Sequence, residues 1–141
     1  MKENEVIQES MLPVGSLLHN GVYRIDRYLS SGGFGNTYVA TNVEFGERVA
    51  VKEFFMSGVT LRDNNHTQVT VSHPLNQPLF DEQLQKFKKE ARRLRRLQNP
   101  HIVSVHDLFE ENGTAYYVMD YIEGEDLSRR LKRLGHPIGE A

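Results

Sequence analysis

Cysteine is absent from the 141-residue sequence. That excludes a disulfide framework, a thiolate nucleophile and a cysteine-ligated zinc or iron–sulfur centre, and it fits a reducing compartment. Long apolar runs are also missing, and none approaches the roughly 18 residues that a membrane-spanning helix needs. The N-terminal "MKENEVIQES" is acidic and has no apolar centre, so it is not a signal peptide. An anchoring element elsewhere in a longer gene product stays open. Charge of one sign is not in excess either: 17 Lys and Arg face 19 Asp and Glu, for a net charge of −2. A general nucleic-acid binder would be basic. The basic run "KKEARRLRR" lacks interleaved aromatics for base stacking and reads as a solvated helix face. The 6 histidines form no i,i+4 ligand pair, which argues against a zinc site.

What remains is the composition of one folded domain, 38% apolar and 26% charged. Residues 1–10 are polar and expected to fray. "MLPVGSLLHNG" follows as a lead-in that packs Leu17 and Leu18, and the whole lead-in is assigned to residues 1–19. Tyr23–Leu29 alternates apolar and polar residues, the period of a half-buried strand. "NTYVATN" and "FGERVAVKEFF" read as two more strands around a turn at Glu44–Gly46, giving an antiparallel meander. From Met56 to Leu79 the pattern dissolves around Gly58, Asn64, Asn65, Pro74 and Pro78. Within this insertion, "VTL" and "QVTV" flank "RDNNH" as either a small hairpin or a disordered loop.

Residues 80–98 carry the clearest helix. Leu84, Phe87, Ala91, Leu94 and Leu97 form one apolar stripe. Asp81 suits an N-cap, and arginines crowd the C-terminal half, as the helix dipole favours. "HIVSVHDLFEE" and "TAYYVMDYI" flank Asn112-Gly113, a strong hairpin signal. "EGEDLSRRLKRLG" begins a last helix with Leu127, Leu131 and Leu134 on one face, closed by Gly135. The fold class is α+β with one five-stranded antiparallel sheet.

Three features bear on chemistry. The first is "LSSGGFGNTYVA", a strand–glycine loop–strand. It has neither the Walker pattern nor the strand–loop–helix context of a dinucleotide fingerprint, and taken alone it could be only a tight turn. The second is Lys52 in "VAVK": Val49 and Val51 share one face of that strand, Ala50 and Lys52 the other. A lysine inside a sheet is usually paired, useful or snorkelling to an edge. The third is Glu90, which borders the buried helix stripe, where a solvated glutamate is the ordinary alternative.

Together these residues resemble the N-terminal lobe of a bacterial eukaryotic-type serine/threonine protein kinase over roughly Tyr23 to Gly135. "SSGGFGNTY" is similar to the glycine-rich loop (30–35), "VAVK" to the third-strand lysine motif, and "FKKEARRLRRL" to the C-helix. "YYVMDYIEGEDL" resembles the last strand, hinge and D-helix. One departure is Ser30, where the family has its first loop glycine. The resemblance implies an N-lobe over 20–122, followed by a hinge exit and D-helix over 123–141, with truncation before the larger helical lobe. It implies that backbone amides of Ser31, Gly32, Gly33, Phe34 and Gly35 cover the phosphates of ATP, with Phe34 at the tip and Ser30 opening the loop. Lys52 would bind the α- and β-phosphates and be oriented by Glu90. Leu29, Val39 and Ala50 would line the adenine slot with Met119 as gatekeeper at its back. The Asp120 carbonyl and Ile122 amide of the hinge, which includes Tyr121, would meet its edge, and Asp126 would approach the ribose.

The catalytic loop and the Mg²⁺-binding aspartate would lie in the missing lobe, leaving this fragment inactive by itself. Implied partners are ATP and, through the missing lobe, a protein substrate. A cytoplasmic location is implied for the kinase domain. Self-association through the exposed lobe-facing surface, including Leu127, Leu131 and Leu134, is expected. Two alternatives remain: a nucleotide-binding pseudokinase module, and a β-rich interaction domain with a structural glycine turn.

Overall fold

A computed structural model describes residues 10–32, 35–97 and 104–121. The last helix and its leucines, like Gly33, Phe34, Ile122 and Asp126, lie outside them. The strands are β1 (Leu17–Leu18), β2 (Tyr23–Gly32), β3 (Gly35–Asn42), β4 (Glu47–Phe54), β5 (Thr60–Arg62) and β6 (Val69–Val71). Helix α1 (Gln77–Arg96), β7 (Val105–Glu111) and β8 (Thr114–Asp120) follow. One antiparallel sheet runs in the order β1-β2-β3-β4-β8-β7, and β5 and β6 pair separately.

The five expected strands are joined at the edge by a sixth, β1, whose two residues pair with Arg24 and Tyr23. Their side chains point to opposite faces, so Leu18 is buried while Leu17 stays exposed. Only one of the two expected leucines therefore enters the core. The hairpin alternative for "VTL…QVTV" is the one adopted. Its turn is held by Asp63, whose Oδ1 accepts the backbone amides of Thr67 and Gln68 at 2.9 and 3.2 Å.

The helix begins earlier than the stripe suggests. A 3₁₀ turn, Pro74–Asn76, is capped by the His73 ring and leads into α1, with proline in the first turn of both. Asp81 is consequently inside the helix and accepts from Gln77 Nε2 at 2.8 Å instead of capping it. Arg93, Arg95 and Arg96 do occupy the last turn. Phe80 and Ala91 are buried, and Leu84, Phe87 and Leu94 pack at the margins, whereas Leu97 is exposed beyond the last turn.

The sheet is covered on both sides. The face toward α1 presents Phe54 and Tyr117 to Phe80, Phe87 and Ala91. Arg95 fastens the helix end to β7, with Nη1 donating to the carbonyls of Val105 and His106 at 2.8 and 3.1 Å. The opposite face packs Tyr38, Ala40, Val49, Val51, Tyr116 and Val118 beneath Leu12 and Leu18. Asn112 and Gly113, both at positive φ, make the tight β7–β8 turn.

Candidate nucleotide site

The register sorts the singled-out residues into rows. Val39 pairs with Ala50, and Ala50 with Met119, so these three share one face. The next row is Thr37, Lys52 and Tyr117, and beyond it Gly35 opposes Phe54. Val39 and Ala50 are buried, while Lys52 and Met119 are half-buried. Leu29 falls where the β2–β3 register slips between Tyr28 and Ser30, and it is exposed.

The glycine segment is more strand than loop. Pairing continues through Ser30–Thr37, Ser31–Asn36 and Gly32–Gly35, so only residues 33 and 34 stand between the two strands. Gly35 meets Lys52 closely. A Cβ there would lie 2.9 Å from the Glu53 carbonyl oxygen and 3.1 Å from Lys52 Cε. Bare backbone at this position thus makes room for the lysine stem.

Lys52 and Glu90 line one hollow of about 210 Å³, with Phe54, Gln83, Lys86, Phe87 and Tyr117. No ion pair joins them. Glu90 is bound instead to Arg93 of the same helix, which donates from Nη2 and Nε at 2.6 and 3.2 Å. Those bonds lower the Glu90 pKa below the usual carboxylate range, partial burial opposes them, and the charges of Arg93 and Lys52 add to the lowering. Burial raises the Tyr117 phenol, assisted by the Glu90 charge, so this neighbour of Lys52 stays protonated.

At the end of β8 the Asp120 carboxylate is already engaged. Oδ1 meets His106 Nε2 at 2.5 Å and Oδ2 accepts the Ser104 amide at 3.0 Å. Tyr121 accepts a hydrogen bond from Arg27 at 3.0 Å. Among the described residues no group of three or more His, Asp or Glu side chains is gathered to hold a metal ion. The sequence reading passed over Glu53 and Arg62, a buried acid and base on the far side of β4. The signal was there: a glutamate beside Lys52 in an apolar strand invites the same question.

Residues 23–140 match the family described as Protein kinase domain. The chain belongs to that family. PknA, a serine/threonine-protein kinase of Mycobacterium tuberculosis, is 35% identical over 130 residues, covering 89% of this chain and 26% of PknA. The kinase pkn2 of Myxococcus xanthus is 32% identical over 131 residues, or 93% of this chain and 14% of that protein. The kinase-family chain thus spans about a quarter or less of these relatives. Among solved structures, the apo form of PpkA-294 superposes with a TM-score of 0.76 at 27% identity, covering 88% of this chain and 43% of that one. The Mycobacterium tuberculosis PknI kinase domain shares the fold, with a TM-score of 0.54 at 24% identity over 92% of this chain and 45% of that one. Among the described residues, the antiparallel sheet and its one α-helix have the architecture of the kinase N-lobe.

Proposed function

We propose that this chain is the ATP-binding portion of a protein serine/threonine kinase, which in its full-length form transfers the γ-phosphoryl group of ATP to protein Ser or Thr hydroxyls. The observation that carries this is the row geometry. Lys52 stands between the bare backbone of Gly35 and the helix bearing Glu90, while Val39, Ala50 and Met119 form an apolar row beside it.

In this reading Lys52 Nζ binds the α- and β-phosphates. Glu90, released from Arg93, orients that ammonium and offsets its desolvation. Backbone amides of residues 31–35 cover the phosphates, with Phe34 as a shield. Leu29, Val39, Ala50 and Met119 contact the adenine face, the Asp120 carbonyl and Ile122 amide its edge, and Asp126 the ribose. The Asp120 role uses only backbone, which suits a carboxylate already bound to His106 and Ser104. Mg²⁺ would neutralise phosphate charge, with ligands from outside the described residues. A cytoplasmic location follows from the supply of ATP; among the described residues no helix is long and apolar enough to cross a membrane.

Titration calorimetry with ATP on Lys52→Ala in the full-length gene product is the test. Loss of a charge-assisted contact should weaken binding about tenfold or more. Wild-type affinity in a folded Lys52→Ala variant would overturn the assignment.

A further inference from the structure

Lys52 and Glu53 stand back to back in β4, and Glu53 is wholly buried on the face away from the helix. A carboxylate there is tolerated only when paired and hydrogen-bonded. Glu53 Oε1 is bound by the Arg62 guanidinium and accepts from the Tyr38 hydroxyl at 2.7 Å and the Asn36 amide at 3.2 Å. Oε2 accepts from the Tyr116 hydroxyl at 2.7 Å. Burial first, and the Glu53 charge second, keep both phenols protonated as donors.

Arg62 comes from β5, in the insertion, and its other donors are also used. Nε donates to the Ser10 carbonyl at 3.0 Å and Nη1 to the Thr67 carbonyl at 2.8 Å, while the guanidinium lies 5.0 Å over the Phe55 ring. Asn36 makes a second bond, to the same Ser10 carbonyl at 2.9 Å. Asn36 immediately follows Gly35, the glycine packed on the Lys52 stem, and it pairs with Glu53 across the strands. One carboxylate therefore grips both the strand carrying Lys52 and the root of the glycine turn.

We propose that Arg62 is a positioning residue for the nucleotide site, acting through Glu53 and Asn36 without touching nucleotide. A buried ion pair is poor as a source of stability, because well-packed apolar replacements often serve as well. What this one supplies is a single geometry, with donors from β3, β5 and β8 converging on one residue of β4. The insertion is thereby made part of the site's frame. The proposal rests on the ATP-binding reading above, which fails separately if Lys52→Ala binds ATP with wild-type affinity.

Arg62→Met alone strands a buried carboxylate and invites unfolding, so the informative variant is Glu53→Gln/Arg62→Met, which removes both charges. The full-length protein is the material, with Leu18→Ala as a control that loosens the same core face without removing either charge. Amide exchange at Asn36 and Lys52 should quicken about tenfold in the double variant but not in the control. The KM for ATP should rise about three- to tenfold, with the KM for protein substrate unchanged. A folded double variant that matches wild type in exchange or in KM for ATP would overturn the proposal. So would an equal rise in the control at the same melting temperature.

Discussion

Glu90 faces the hollow that holds Lys52, yet both its carboxylate oxygens are taken by Arg93, one helical turn on. Both partners are substantially exposed, so water competes for the pair and little fold stability rests on it. Its effect is on direction, since Arg93 draws the carboxylate along the helix and no ion pair to Lys52 forms.

Arg93→Ala should therefore leave the melting temperature at neutral pH nearly unchanged and ATP affinity equal or higher. The lowered Glu90 pKa means that its contribution is present above the unfolded-state value and fades as pH falls through the folded-state value. Carboxyl-detected NMR titration should show the Glu90 pKa rising in Arg93→Ala, less so when ATP brings Lys52 to it. Weakened ATP binding would instead make Arg93 part of the site.

Gly35 and Gly32 face each other across the β2–β3 pairing but should respond differently to alanine. At Gly35 a Cβ meets backbone at 2.9 Å and the lysine stem at 3.1 Å, whereas at Gly32 nothing lies within 4 Å. Overpacking of this kind costs about 1–3 kcal/mol, so Gly35→Ala should destabilise visibly in urea while Gly32→Ala stays near wild type. Equal midpoints for the two variants would contradict the packing described.

Gly113→Ala should be the harsher change. Its φ of +75° disfavours any side chain, and a Cβ would lie 2.4 Å from the Val69 carbonyl oxygen. A loss of about 2 kcal/mol or more is expected by denaturant titration. It should be accompanied by faster exchange of the Val69 amide, which now donates to the Asn112 carbonyl at 2.8 Å. Retained protection there would show that the Val69–Asn112 bond does not depend on the close approach at Gly113.

Acid should weaken the β2–β3–β4 corner. Burial alone would raise the Asp26 pKa, but bonds from the Thr41 hydroxyl and Arg24, with the charges of Arg24 and Arg48, outweigh it and lower the value. Its stabilisation is therefore present above the unfolded-state carboxylate value and lost as pH falls through the folded one. Asp26→Asn should cost about 1 kcal/mol or less at pH 7, the gap closing in acid. A gap independent of pH would refute this.

The sequence made the sheet and helix legible where burial was one-sided. Tyr23–Leu29 alternates because one face of β2 is wet, and α1 shows its stripe because solvent bathes the rest. Strand β4 is different. With Val49, Ala50, Val51, Glu53 and Phe54 all buried, the period of two sorts residues onto two faces but marks neither as the wet one. Arg62 was harder still, since "RDNNH" has the composition of a turn and its partner lies in another strand. The early start of α1 was hidden by prolines, which punctuate loops and helix first turns alike. That Ala50 and Lys52 share one face of β4 could be anticipated from the period of two, but not the capture of Glu90 by Arg93, which depends on rotamers.

The β5–β6 hairpin looks dispensable from outside, a detour between strand and helix. Excising it would leave the Glu53 anion without its cation, two phenols donating to an uncompensated charge, and bare the Phe54–Met56–Phe80 cluster to which Val59 and Val71 contribute. Deleting the hairpin alone should therefore cost far more stability than its place outside the main sheet suggests. The insertion is in that sense a structural part of the lobe, because the acid beneath it depends on the cation it carries.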